Sequence, residues 1–450
     1  MTSRASIIWL PLVWLFLFVG AVMMPGAVAL AEETRDDTSM LSLEQSIDIA
    51  LERNLDIKVA LEEVLAAKER KKETTTAFLP SLRAEYTYRR PSEVPYIVIQ
   101  DKRIDIADED QYGFTGTIEQ PLFTGFANLS NYQLAKLGLD VAEIQLTQAR
   151  FDLILEVKVA YFKVLTAERI KEVAQQSVEQ LQAELKTAQN FYDVGMSPKI
   201  DVLDAEVRLA EAEQQLIRTE NALRIAEATF NTILRRPIDQ ELAVEDILSY
   251  QPYDRSYESC LEVSLKNRPE LMEAEKNVSS AEKEITLAKS DYYPYVSLSS
   301  NYYRAGEDPN VDGSEFVDRE NWDIIAVASI TFFEWGKTRF AANEKRARLR
   351  QAQDALEQIK DAVRLDVKTS YLNVQAAEEN ISVAKKSVGS AEENFRISKE
   401  RYREQVATAT EVLDAQTRLT EAKTNYTRAL AEFNVAKARL IRAMGIEDRS

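Results

Sequence analysis

Long stretches of the chain repeat apolar residues at the three- and four-residue spacing of an α-helix. The longest helices are predicted over about residues 127–192, 198–234, 337–402 and 408–444. At about 1.5 Å per residue, the first of these would span roughly 100 Å. Helices of this length are typical of coiled-coil packing between several helices rather than of a compact globule.

A shorter helix is predicted before the first long one. Ser42 and Gln45 have the spacing of a capping box, in which each side chain bonds the backbone of the other. Apolar residues then recur at helical spacing to about residue 77. We therefore expect one continuous helix there.

Four short runs alternate apolar and polar residues, as β-strands do. They are predicted at about residues 81–90, 112–121, 293–303 and 321–332. Strands with one aromatic, apolar face and one polar face suit an outer-membrane barrel, although a half-buried soluble sheet shows the same alternation. The last run is the weakest, because Ile325 and Val327 put apolar groups on its second face. The loops at the strand tips, Arg90 to Gln111 and Arg304 to Glu320, are expected to be long, polar and acidic.

Four strands cannot close a barrel, and an open sheet edge cannot face lipid, because its backbone groups would lack partners. If this sheet lies in a membrane, several chains must contribute strands to it.

The chain contains an internal repeat of about 210 residues. Val202-Leu203-Asp204-Ala205 matches Val412-Leu413-Asp414-Ala415, and Phe78-Leu79-Pro80 matches Tyr292-Tyr293-Pro294 at a slightly longer offset. We predict a first structural repeat over residues 32–256, ending in a linker at 235–256, and a second over 257–450.

The N-terminus has the features of a secretory signal peptide. Residues 5–31 carry no charge, and the stretch ends in Ala29-Leu30-Ala31, a small-x-small cleavage pattern. The alternative is a single membrane anchor. We favour cleavage and assign residues 1–31 to the signal peptide, so the protein is expected to be exported.

Composition excludes most enzyme chemistry. The chain has no histidine, one cysteine and a net charge of −18. Histidine-based triads and zinc sites are therefore excluded, and an acidic protein is a poor partner for nucleic acid. Neither a phosphate-binding glycine loop nor a metal constellation is present in the sequence. We expect no enzyme activity and no cofactor.

At this point the residues resemble the TolC-like outer-membrane efflux and secretion channels. The resemblance rests on the duplicated helix-strand-strand-helix-helix order and on three motifs in that order. These are Gln120-Pro121-Leu122-Phe123-Thr124-Gly125, Tyr192-Asp193-Val194-Gly195 and Asp201-Val202-Leu203-Asp204-Ala205. It implies an α+β membrane protein: a homotrimer in which each chain gives four strands to a shared twelve-stranded β-barrel and long helices to a periplasmic α-helical barrel.

The resemblance also implies a place and partners. The protein would lie in the outer membrane of a Gram-negative-type bacterium, in contact with outer-membrane lipid, with its helices projecting into the periplasm. It would be a passive conduit in a tripartite efflux or type I secretion system. Its partners would be a periplasmic adaptor and an inner-membrane pump of the RND, ABC or MFS type.

The narrowest point is expected where each long helix turns into the next. In the first repeat Gly195 supplies a tight turn, Ser197 is predicted to be the N-cap, and Pro198 the first helical residue. In the second repeat Gln405 replaces the glycine, so that turn is expected to be built differently. Pro121, Gly125 and Gly336 mark the turns from strand to long helix.

Four carboxylates just past the helix–helix turns are candidates for the entrance: Asp201, Asp204, Glu411 and Asp414. Each pair is spaced three apart and shares a helical face. In related channels the second-repeat positions, here Glu411 and Asp414, line the closed entrance. Three copies would place these carboxylates in rings, and rings of negative charge select cations. The competing interpretation is helix capping, because Thr408 and Glu411 have capping-box spacing.

Tyr402 matches a family position that helps hold the entrance shut, although it could equally be an aromatic residue packed at a helix end. The family often has arginine where this chain has Ala407. A charge-assisted latch is therefore not predicted from this sequence alone.

Two other classes of protein share part of this pattern. A periplasmic adaptor also has a signal sequence and a long helical hairpin, but normally a single hairpin with small β domains. A structural coiled coil would not need the paired strands.

Overall fold

The structure, a computed structural model, describes residues 40–449. The predicted signal peptide, residues 1–31, lies outside this range. Eight α-helices occur in the described range: α1 (Leu43–Arg53), α2 (Leu55–Thr76), α3 (Ala127–Asp193), α4 (Lys199–Ile233), α5 (Tyr257–Asn267), α6 (Pro269–Ala288), α7 (Lys337–Arg403) and α8 (Ala409–Ala443). A short 3-10 helix, Ser290–Tyr292, follows α6. The strands are β1 (Ser81–Arg89), β2 (Tyr96–Ile99), β3 (Lys102–Asp105), β4 (Gln111–Thr124), β5 (Tyr295–Gly306) and β6 (Glu320–Ser329).

The first helical segment is broken, where we had expected one continuous helix. The capping box at Ser42 and Gln45 is confirmed, with both reciprocal hydrogen bonds present. Asn54 then adopts an extended conformation, and its side chain caps α2 by accepting hydrogen bonds from Asp56 and Ile57. Asparagine competes for backbone hydrogen bonds in this way, which is why it interrupts helices.

Four strands form one antiparallel sheet in the order β1-β4-β5-β6. Directly paired residues lie on the same face, so the registers bring most aromatic residues of the four strands to one face, whereas Tyr303 lies on the other. The apolar residues of this face, which we call the apolar face, are Leu82, Ala84, Tyr86, Tyr88, Tyr112, Phe114, Ile118, Leu298, Tyr302, Trp322, Ile324 and Ala326. Ser300, Arg304 and Glu320 also lie on it. It is exposed in the single chain; Leu82 is 79% and Trp322 68% accessible.

The opposite face of the sheet is polar. The Thr117 hydroxyl donates to Asn301 Oδ1 at 2.9 Å, and Asn301 Nδ2 donates to Asp323 Oδ1 at 2.8 Å. Ile325 and Val327 also lie on this face, as the sequence indicated.

The first strand-tip loop contains a hairpin that was not predicted. β2 and β3 pair antiparallel, and their isoleucines and Val98 are exposed. The loop expected to be long, polar and acidic therefore also contains an apolar hairpin, because the run Tyr96-Ile97-Val98-Ile99 has strong β propensity.

The long helices form two hairpins, α3 with α4 and α7 with α8, and α3 also packs along α8. Their shared core includes Tyr161, Phe230 and Phe433, all fully buried. The Tyr161 hydroxyl donates to the carbonyls of Leu41 and Glu245, which fastens the N-terminal segment and the linker to the middle of α3. No helix in the described range is long and apolar enough to span a membrane.

The 67-residue helices α3 and α7 each begin at a turn with two residues at positive φ. These are Gly125 and Phe126 before α3, and Trp335 and Gly336 before α7. Glycine occupies the first position in one repeat and the second in the other. Pro121 lies beside a register shift between β4 and β5, a position that needs no ladder hydrogen bond.

Candidate functional site

The candidate site is the helical tip, which we define as the α3–α4 turn (residues 194–198), the α7–α8 turn (404–408) and the flanking helix ends. The two turns are joined by packing between hairpins. Tyr402 at the end of α7 packs edge-on against Phe191 at the end of α3, with ring centroids 5.5 Å apart.

Both turns have the same geometry, which corrects the expectation that they differ. Gly195 has φ +74° and Gln405 has φ +63°. In each turn the next residue's N–H bonds the carbonyl five residues back, Met196 to Phe191 at 2.8 Å and Val406 to Arg401 at 2.9 Å. This is a Schellman motif, which satisfies the last carbonyls of the helix. The left-handed conformation costs Gln405 about 1–2 kcal/mol. The hydrogen bonds of the Schellman motif compensate this cost.

The predicted N-cap of α4 was wrong by one residue. Pro198 occupies the N-cap position, and α4 begins at Lys199 with no side-chain cap. The Ser197 hydroxyl is buried and lacks a hydrogen-bond partner in the described part of the chain. Proline fixes its own φ and has no N–H, so it also suits the residue just before the helix.

Thr408 caps α8, as one interpretation of the sequence suggested. Its hydroxyl accepts a hydrogen bond from the Glu411 N–H at 3.3 Å. The Glu411 carboxylate lies 3.8 Å from the Arg401 guanidinium. Glu411 is therefore in the capped first turn and also faces a cation across the helix–helix turn.

Asp414 lies in an ion pair that the sequence did not suggest. The Arg208 guanidinium on α4 donates to Asp414 Oδ1 at 3.1 Å and also lies 3.3 Å from Glu211. Both Arg208 and Asp414 remain partly exposed, so the pair is solvated. Periodicity along α4 alone does not show which residue of α8 this helix surface meets, so the sequence did not predict the pair.

Asp201 and Asp204 lie together at the start of α4. Burial, followed by the neighbouring Asp204 carboxylate, raises the pKa of Asp201. A raised carboxyl pKa favours the protonated form, so any stability it contributes is present at low pH and is lost as pH rises through that pKa. The tip is therefore a site where acidic charge is concentrated and partly desolvated.

Tyr402 is buried, 6% exposed, against Phe191, Ala409 and Val412. Its hydroxyl has no hydrogen-bond partner within residues 40–449. Burial, then the charges of Asp201 and Glu184, raises the pKa of Tyr402. Glu184 itself pairs with Lys399 across the two hairpins at 2.5 Å. The Tyr402 hydroxyl is thus buried between the two hairpins, close to the carboxylates of Asp201 and Glu184.

The described residues contain no cluster of three or more potential metal ligands.

The chain matches the family model described as outer membrane efflux protein, over residues 46–234 and 260–446. The two matched segments confirm the internal repeat. Similar proteins include the alkaline protease secretion protein AprF of Pseudomonas aeruginosa, 23% identical over 71% of this chain and 66% of AprF. The solvent efflux pump outer membrane protein SrpC of Pseudomonas putida is 25% identical over 72% of this chain and 67% of SrpC. The chain thus spans about two thirds of the length of these relatives.

Solved structures show the same fold. CusC superposes with a TM-score of 0.77 at 18% identity, covering 90% of this chain and 92% of CusC. CmeC of Campylobacter jejuni also reaches 0.77, at 15% identity, covering 90% of this chain and 87% of CmeC. The predicted resemblance and fold class are confirmed, and the family is one of efflux channels rather than enzymes. The chain belongs to the outer membrane efflux protein family and has the fold of a TolC-like outer-membrane channel.

Proposed function

We propose that this protein is the outer-membrane channel of a tripartite efflux or type I secretion system. The observation that carries the proposal is an amphipathic sheet with two open edges, continuous with helical hairpins whose long helices have 67 residues each. Lipid would cover the apolar face of the sheet, and water would fill the polar side. The helices would continue the conduit into the periplasm.

The family resemblance implies three copies, and the number of strands agrees with it. Two copies would supply eight strands, and an eight-stranded barrel is filled by its own side chains. Three copies would supply twelve strands and leave space for a channel. The outer edges of β1 and β6 are unpaired within the described chain, so each is available to a neighbouring copy.

The relatives' names supply the class of system. AprF is named as a secretion protein and SrpC as a component of a solvent efflux pump. By extension, this channel would work with a periplasmic adaptor and an inner-membrane pump. We propose that Asp201, Asp204, Glu411 and Asp414 lie at its periplasmic entrance, with Arg208 moderating their charge.

Conductance in a planar lipid bilayer tests this function. The wild-type protein should show a small, steady, cation-selective conductance. A unit charge changes the energy of a monovalent ion about 10 Å away in water by about 0.4 kcal/mol. Losing Asp414 in three copies, by Asp414→Ala, should therefore lower the permeability to a monovalent cation by up to about eightfold and raise that to an anion by the same factor, so the cation-to-anion permeability ratio should fall by up to about sixtyfold.

Glu262→Ala is the matched control, because Glu262 is an exposed carboxylate on α5 paired only with the nearby Lys266. Its selectivity should equal that of the wild type. An unchanged ratio in Asp414→Ala would remove Asp414 from the entrance. Failure of folded protein to insert would reject the channel and favour the adaptor.

We further propose that Tyr402 helps hold the entrance shut by a polar contact between neighbouring helices, for which the carboxylates of Asp201 and Glu184 are the nearby acceptors. A buried hydroxyl without a partner costs about 1–3 kcal/mol, and such a contact would remove that cost. Tyr402→Phe should then raise the conductance, because the closed state loses about 1 kcal/mol in each copy.

The control is Tyr192→Phe, the equivalent residue of the first repeat, which is 40% exposed. It should conduct like the wild type. If Tyr402→Phe instead conducts normally and melts at a higher temperature, Tyr402 is only a packed helix-end aromatic residue.

A further inference from the structure

A groove of about 560 Å³ lies along the middle of α3 and α7, where the C-terminal part of α8 packs between them. Its floor is apolar and includes the buried side chains of Phe162, Ala377, Ala431 and Ala436. Alanines at these positions leave room that larger side chains would fill. The volume is in the range of protein sites that bind drug-sized organic molecules.

The linker between the repeats covers another face of the same three helices. The Tyr161 hydroxyl on α3 donates to a linker carbonyl at 2.8 Å, and the Asn434 side chain on α8 donates to a second one at 3.0 Å. The hydroxyl of Tyr250, in the linker, donates to Glu378 on α7. The linker thus crosses α3, α8 and α7.

Each of these helices has a rim residue of the groove two positions away from its contact with the linker; these residues are Lys163, Asn380 and Glu432. Successive side chains of an α-helix are about 100° apart, so two positions turn a side chain by about 200°. The groove therefore opens on the face opposite the linker. In a channel, a segment that crossed the inner face of the helices would obstruct the conduit. The linker would therefore lie outside, and the groove would lie on the wall of the lumen.

The rim of the groove carries charged side chains that have no partner within residues 40–449. Lys163, Glu432 and Arg439 are exposed, and their side chains make no ion pair or hydrogen bond there. The rim thus has two cations and one carboxylate, although the whole chain has a net charge of −18. Asn373 and Asn380 add amide donors and acceptors. An apolar floor with excess positive charge at its rim fits a molecule that is apolar at one end and anionic at the other.

We propose that this groove binds amphipathic organic anions on their way through the channel. The apolar body of the molecule would lie on the floor, and its anionic group would bind Lys163 and Arg439. The inference rests on the proposed channel function and adds a class of cargo to it. Binding should be weak, because a molecule that crosses a conduit must also leave its binding sites.

A fluorine label in the groove tests the site in the protein purified in detergent. Asn373→Cys, labelled with a trifluoromethyl reagent, places the label on the rim. The native Cys260 is fully buried and should not react. Titration with anilinonaphthalene sulfonate, an aromatic anion, should shift the fluorine resonance until it saturates. Phenylnaphthylamine has the same aromatic body without the sulfonate and is the uncharged probe.

Three variants and a second label position assign the two parts of the ligand. Lys163→Gln and Arg439→Gln should each raise the Kd for the sulfonate by about two- to fivefold, as for a solvated ion pair, and leave the Kd for phenylnaphthylamine unchanged. Ala376→Trp should abolish the saturable shift with both probes, because its indole would occupy the groove. The control label is at Lys385→Cys, seven residues after Glu378 and therefore on the linker side of α7, and its resonance should show no saturable shift.

Conductance of the wild-type protein in a lipid bilayer separates this proposal from the channel itself. Failure of folded protein to insert overturns the channel and, with it, a lumenal site for cargo. If the protein conducts, three results each overturn the groove site alone. These are no saturable shift at residue 373, an equal shift of the control label, and unchanged sulfonate binding in both Lys163→Gln and Arg439→Gln. A conducting protein with the expected pattern of shifts supports both proposals.

Discussion

Gly125→Ala should destabilise the assembled protein by about 2–5 kcal/mol, because two costs add. Gly125 has φ +61°, a left-handed conformation that alanine adopts at a cost. A Cβ at this position would also lie 2.3 Å from the carbonyl oxygen of Ser290 and 3.1 Å from Tyr293 Cβ. The turn connects β4 to the 67-residue helix α3, so its distortion would misdirect the whole hairpin. Thermal unfolding in detergent, followed by circular dichroism, measures the loss.

Gly195→Ala is the control that measures the cost of the left-handed backbone conformation alone, without a steric clash. Gly195 has φ +74°, but a Cβ there would meet no atom within 4 Å among the described residues. It should therefore lose only about 1–2 kcal/mol. Equal losses in the two variants would show that the contact with Ser290 has no energetic effect.

Arg268→Ala should cost about 3–5 kcal/mol, because it breaks a largely buried ion network. The Arg268 side chain is 8% exposed. Its guanidinium bonds Glu270 at 2.9 Å, Asp366 at 2.7 Å and the Ala443 carbonyl at 3.1 Å. These contacts join the start of α6 to α7 and to the end of α8, so the loss should appear as a lower melting temperature.

Lys266→Ala is the control, because it removes a nearby cation whose pair with Glu262 is exposed. It should cost no more than about 1 kcal/mol.

The ion network around Arg268 should also make the stability of the protein depend on pH. Burial acts to raise the pKa of Glu270, but its own backbone N–H, Arg268 and Arg442 outweigh burial and hold that pKa below its ordinary value. Its contribution to stability is therefore present near neutral pH and is lost as pH falls through the lowered pKa. If Arg268→Ala is as stable as the wild type and loses stability over the same acidic pH range, the network does not have this role.

Two helix breaks show where prediction from sequence stopped. Pro269 follows Arg268 and gives α6 a proline at its first position, a recognisable start. The equivalent break at Asn54 has no proline, and its apolar spacing continues across the break. Comparing the two repeats position by position would have located it.

The tip shows the same limit for function. The four carboxylates and Tyr402 were predicted as entrance residues from their place near the helix–helix turns and from the family resemblance. The partner of Asp414 was not, because Arg208 lies 206 residues away in sequence. Likewise, the turns at Gly195 and Gln405 are similar because the same backbone hydrogen bonds form in both and compensate the unfavourable φ of Gln405. The residue types alone do not reveal these hydrogen bonds.

The sequence by itself determined the long helices, the amphipathic strands, the duplication and the family resemblance. The helices and strands follow from periodicity and local propensity, which act over a few residues. The duplication and the resemblance follow from matching motifs along the chain. Tertiary structure decided the strand registers, the pairing of Arg208 with Asp414, the network around Arg268 and the burial of Tyr402. Each of these joins residues far apart in sequence, and their energies depend on distance, burial and solvent exclusion, which exist only once the elements have packed.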